Sequence, residues 1–139
     1  MITIIKTVFL GLVLIVASNI TAHAEDWVFI TLSPDGEFAL YIDKDSLVFS
    51  DNKTWYWSKL EFAEPQESVK EGEIYSILHS FIEIDCAKKT FTNPYAIEKK
   101  KDGQVVWRGH IPARPDIPIP PDSIIEREFE FVCIKLIPR

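Results

Sequence analysis

Residues 54–62 read Thr-Trp-Tyr-Trp-Ser-Lys-Leu-Glu-Phe, and their alternation decides the fold class. Tyr56, Leu60 and Phe62 fall on one side of an extended chain, while Trp55, Trp57, Lys59 and Glu61 fall on the other. A period of two belongs to a β-strand, whose successive side chains point to opposite faces. Aromatic rings occur at both parities, so neither face of the sheet is simply wetted. Ile74 to Cys86 is a longer run of the same kind. Ile74, Leu78, Ile82, Ile84 and Cys86 share one parity there, and Tyr75, Ile77, His79, Phe81, Glu83 and Asp85 the other. Ala63 to Glu73, between the two runs, is polar, acidic and rich in breakers, and reads as an exposed loop.

Upstream, Trp27 to Leu32 and Glu37 to Ile42 are short aromatic and β-branched runs separated by Ser33-Pro34-Asp35-Gly36. Proline pre-sets the first turn position and glycine accepts positive φ, which makes a hairpin. Leu47 to Phe49 is a third short run. Downstream, Lys88 to Glu98 returns antiparallel, and Asp102-Gly103 turns the chain into Gln104 to His110. About six antiparallel strands follow, with no helix between them.

Residues 112–121 contain five prolines, and a residue without an N–H cannot join a central strand. This segment is expected to run extended across the outside. The end of the chain is ambiguous. Phe129 to Cys133 alternates like a strand, yet Ser123 and Glu126 stand at capping-box spacing, and Ile125, Phe129, Val132 and Leu136 form a helical stripe. Glu126 and Glu128 in the first turn favour a helix through its dipole. The reading is therefore α+β: an antiparallel sheet with a C-terminal helix.

With 139 residues, 26% charged and 47% hydrophobic, the chain suits one folded domain, not a disordered or collagenous protein. A net charge of -6 argues against nucleic-acid binding, which leaves a basic footprint. The N-terminus reads as an address. Lys6 precedes an apolar run from Val8 to Ala17, and Ala22-His23-Ala24 supplies an A-x-A cleavage site. Such a run spans only about 15 Å of a hydrocarbon layer about 30 Å thick, which speaks against a membrane helix. Residues 1–24 are read as a signal peptide and 25–139 as one exported domain with no transmembrane segment. No cysteine lies near the cleavage point, so no lipid anchor is expected there.

Cys86 and Cys133 are the two cysteines, and an even count in a small exported domain reads as a disulfide. Closing so long a loop stabilises by roughly 4 kcal/mol in the chain-entropy treatment. There is no C-x-x-C, and His79 and His110 are the only histidines beyond the leader, so metal and redox alternatives fare poorly. The disulfide would pin the helix onto the sheet.

Catalytic chemistry finds little support. No serine or cysteine nucleophile neighbours His79 or His110, so an enzyme is not expected, and a small hydrolase would need those two imidazoles to meet in space. Asp43 and Asp45 hint at a calcium loop, but its sixth and twelfth places hold Val48 and Thr54, and a turn fits better. No metal or other cofactor is expected. Trp55 and Trp57 are candidates for a partner surface, and so are the basic Lys99, Lys100 and Lys101, for which a solubilising turn is the plainer reading. The plainer arrangement puts core under one sheet face and the proline-rich segment over the other. If one face stays open, a homodimer or a protein partner is the next reading.

Several short motifs point further when taken in order. They are Trp27-Val-Phe-Ile, Ser33-Pro-Asp-Gly36, Tyr41-Ile-Asp43, Ser46-Leu47, Trp57, Ile84-Asp-Cys86, Asp102-Gly103-Gln-Val-Val106, and Pro121-Asp-Ser-Ile-Ile-Glu126 leading to Cys133. In order and spacing they resemble the bacterial surface-adhesin protein E family, over nearly all of the chain beyond residue 24. The resemblance implies an antiparallel sheet with a C-terminal helix, a disulfide at Cys86 and Cys133, and binding of host matrix and plasma proteins by a chain able to dimerise. The family's adhesin is a lipoprotein, whereas this chain has no cysteine at its expected cleavage site, so periplasmic, surface and released locations all stay open. The expectation is an exported protein-binding module. The alternative is a soluble periplasmic protein with a structural or assembly role in the envelope.

Overall fold

The computed structural model describes residues 25–112 and 114–136; the expected signal peptide, residues 1–24, lies outside them. The strands are β1 (Trp27–Leu32), β2 (Phe38–Asp43), β3 (Val48–Ser50), β4 (Lys53–Glu67), β5 (Ile74–Asp85), β6 (Thr90–Lys99), β7 (Val105–His110) and β8 (Ile117–Pro118). Helix α1 (Ile124–Phe129) continues through a π-helical stretch, Glu130–Lys135. Six strands lie in the order β1-β2-β4-β5-β6-β7, while β3 pairs with β4 and β8 with β6. Every pairing is antiparallel. The expected sheet is present, with β1 and β7 at its edges.

The first hairpin forms as its turn residues dictate. Gly36 takes φ +74°, and its N–H donates to the Ser33 carbonyl at 2.9 Å. Asp43 ends β2 and caps a 3-10 turn, Lys44–Ser46, accepting from the Asp45 N–H at 3.1 Å. The Asp43–Asp45 pair is thus a turn.

The segment expected as a loop, Ala63–Glu73, is corrected in its first half. β4 runs on to Glu67, pairing Gln66 with Tyr75 and Glu67 with Ile74 after an irregularity between Glu61 and Gln66. Pro65 falls inside that irregularity, where no ladder donor is demanded of it, so a breaker is carried within a strand. Only the tip beyond Glu67 is a loop. Ser68 and Val69 fasten it to β6, the Ser68 hydroxyl and the Val69 N–H both donating to the buried Glu98 carboxylate.

One sheet face carries the core. Ile42 of β2, Tyr56 of β4, and Ile82 and Ile84 of β5 pack against Val132, Cys133 and Ile119. Full burial of aliphatic side chains of this size stabilises by about 1.5–3 kcal/mol each. Ile119 reaches the core just past β8, where the proline-rich segment pairs with β6. The helix begins at Ser123, whose hydroxyl accepts from the Glu126 N–H at 3.2 Å. The cap decides against a strand there, and the stripe residues Ile125, Phe129 and Val132 all face the core. Cys86, just past β5, is bonded to Cys133 with a Cα–Cα distance of 5.6 Å. The disulfide ties the helix to the end of a central strand.

Candidate partner-binding face

Because Tyr56, Ile82 and Ile84 turn to the helix, the opposite parity of β4 and β5 turns away from it. The register aligns these outward residues in rows across the sheet. One row runs Phe29, Tyr41, Lys59, His79, Ile97 and Arg108, one residue from each of the six main strands. Beside it, Trp57, Phe81, Tyr95 and His110 occupy β4 to β7. Trp55 adds a further step along β4, opposite Glu83. Among the described residues, the helix covers the other face and no helix or strand covers this one.

The rings pack into one layer through stacked, tilted and edge-to-face contacts. Trp55 stacks on Phe81 at 5.6 Å, Trp57 lies 5.3 Å from Phe81 and 6.1 Å from Tyr95, and Tyr95 meets His110 at 5.2 Å. On the β1–β2 side, the Lys59 ammonium stands 4.7 Å from the Trp27 ring and 4.6 Å from the Tyr41 ring. Its charge is also held by Glu61 at 3.0 Å. Phe29 packs on Tyr41 and remains 54% exposed. Tyr41, Trp55, Trp57, Phe81 and Tyr95 are half-buried, so each ring keeps part of its surface open.

Charge is arranged around the rings. His79 is buried beside Trp27, and burial, reinforced by the Lys99 and Lys59 cations, pulls its imidazole down to about 4. It is therefore neutral at physiological pH. Tyr41 is pushed up by burial and by Glu61. A small hollow of about 180 Å³ lies between Trp27, Trp57, His79 and Lys99.

Of the residues singled out in the sequence, Trp55, Trp57 and Lys99 share this face. Lys100 and Lys101 do not join them: β6 ends at Lys99, and both are exposed in the following turn. Among the described residues, the proline-rich segment meets the Trp55 end, where Pro115 and Asp116 border a cleft. His79 and His110 sit on β5 and β7 with β6 between them, one against Trp27 and the other against Tyr95. They do not form a pair. Trp27, Tyr41, Phe81 and Tyr95 were not singled out from the sequence; the strand register, absent from local pattern, is what joins them to the tryptophans.

Such a surface suits recognition. Large rings with few rotatable bonds bury area at low entropic cost, and interface centres are enriched in Trp and Tyr. Among the described residues, no group of three or more His, Cys, Asp or Glu is placed to hold a metal. No described helix is long and apolar enough to cross a membrane.

Known proteins agree with the architecture. Two solved structures of protein E from Haemophilus influenzae, one from a non-typeable strain, share the fold. The first has a TM-score of 0.57 and 13% identity, over 77% of this chain and 84% of the other. The second has a TM-score of 0.52 and 12% identity, over 76% and 74%. At such identities the likeness speaks for the fold alone. Compared with curated protein sequences, the chain finds no match. The family model described as Surface-adhesin protein E matches residues 27–134, and over that span the chain belongs to the surface-adhesin protein E family.

Proposed function

We propose that this protein is an exported binding module that docks a protein partner on the outer face of its sheet, the partner being a host matrix or plasma protein. The observation that carries the reading is the aromatic layer of Trp27, Tyr41, Trp55, Trp57, Phe81 and Tyr95, with no described element packed over it. Monomeric proteins seldom leave an apolar surface of this kind open without a use for it. Family membership and a disulfide, which persists in oxidising compartments, point the same way. The test is binding of purified protein to a panel of immobilised matrix and plasma proteins, with Trp57→Ala and Phe81→Ala alongside. Binding that falls at least about tenfold in both folded variants supports the reading. No binding to any panel member, or undiminished binding by the variants, removes it.

A second reading is a homodimer through the same face, at whose β1 side Phe29 stays 54% exposed. Sedimentation over a concentration series tests this; a monomer at every concentration rejects it.

A further inference from the structure

At the Trp55 end, the outer face runs into a cleft of about 430 Å³, within the size range of small-ligand pockets. One wall is the strand surface, with Trp55, Glu83, Asp85 and Thr92; the other is Pro115 and Asp116 of the proline-rich segment. Three carboxylates share this space with one cation, Lys53, which is paired to Glu83 at 3.0 Å and half exposed. Its ammonium is held above the ordinary range by the hydrogen bond and charge of Glu83, then by Asp116 and Asp85. The cleft is thus negative beyond what Lys53 neutralises.

Asp85, which lines the cleft and is 7% exposed, accepts from the Ala87 and Lys88 N–H groups, both through Oδ1. Its Oδ2 has no partner among the described residues and is left to accept from an incoming donor.

We propose that this cleft receives an arginine side chain of the protein partner, its guanidinium stacked on Trp55 and hydrogen-bonded to the carboxylates of Glu83, Asp85 and Asp116. A guanidinium is planar, is always charged, stacks on indole and offers five donors in a fork that fits paired carboxylate oxygens. An ammonium offers neither the plane nor the fork. The assignment deepens the partner-binding reading and rests on it, since the cleft opens at the edge of the same aromatic layer.

The test uses the purified protein and a small probe, so that it is independent of any partner. The indole N–H resonance of Trp55 is followed during titration with Nα-acetyl-arginine amide, with the uncharged isostere Nα-acetyl-citrulline amide, and with free arginine. The expected result is a saturable Trp55 shift with the blocked arginine and none with citrulline. Asp116→Asn and Glu83→Gln should each weaken the binding severalfold, and together by at least about tenfold. An equal response to citrulline, the absence of any saturable shift, or full binding by the double variant overturns the proposal. So does binding of free arginine without the blocked form, which would make the site one for the amino acid. Failure here with partner binding still lost in Trp57→Ala would leave the outer-face reading standing; the reverse pattern would remove that reading instead.

Discussion

Glu128 of α1 and Ser58 of β4 face each other beneath the helix, and the glutamate is only 4% exposed. Burial pushes its carboxyl up to about 8, against a smaller pull downward from the Ser58 hydroxyl. The nearby Tyr56 hydroxyl is also buried, has no partner among the described residues, and is pushed up by burial and by Glu128. The folded protein therefore keeps a proton that the unfolded chain has lost between the usual carboxylate range and about 8. This contribution to stability is fully present below about 4.5 and is lost as pH rises through about 8, a span worth roughly 5 kcal/mol at its limits. Urea unfolding between those pH values should show declining stability in the native protein and a much flatter profile in Glu128→Gln. The same decline in both proteins would place the titrating group elsewhere.

The bond between Cys86 and Cys133 closes 47 residue steps and joins β5 to the helical end. Reduction, or the Cys86→Ser and Cys133→Ser double variant, is expected to cost roughly 4 kcal/mol of unfolding free energy. Denaturant midpoints with and without reductant measure it. Coincident midpoints would show that packing of Val132 and Phe129 on the sheet suffices without the crosslink.

Lys59 holds two rings of the outer layer through its charge. Lys59→Met keeps the stem and removes the ammonium, and is expected to destabilise by about 1–2 kcal/mol and to alter the indole resonance of Trp27. The exposed side of its ion pair with Glu61 adds little to that figure. Unchanged stability together with an unchanged Trp27 signal would mean that the layer does not depend on the cation.

Location separates adhesion from an envelope role. Protease added to intact cells should digest a displayed protein, with lysed cells as the control. Protection on intact cells and digestion after lysis would put the protein inside the envelope and favour a structural or assembly role there.

Local pattern carried the sheet well where period two was clean, as in Thr54–Phe62 and Ile74–Asp85. It failed at Ala63–Glu67, because pairing with Tyr75 and Ile74 across an irregularity overrides the acidic, proline-bearing look of that stretch. Parity alone placed Trp55 and Trp57 on one face. Their neighbours Trp27, Tyr41, Phe81 and Tyr95 follow only from register, which is a long-range property. Glu126 and Glu128 look alike in sequence as acids of a first turn, yet only Glu126 lies there and bonds at the cap, while Glu128, in the next turn, is buried. The lysine run divides in the same way, since the strand ends between Lys99 and Lys100.

The central claim, that the outer sheet face docks a protein, is tested most directly by the four tryptophan indole signals. Trp27, Trp55 and Trp57 lie on that face, while Trp107, opposite Glu98, lies on the other and serves as the internal control. Titration with the matrix or plasma protein that binds should shift or broaden the first three and leave Trp107 in place. A response at Trp107 with the other three unmoved would contradict the account.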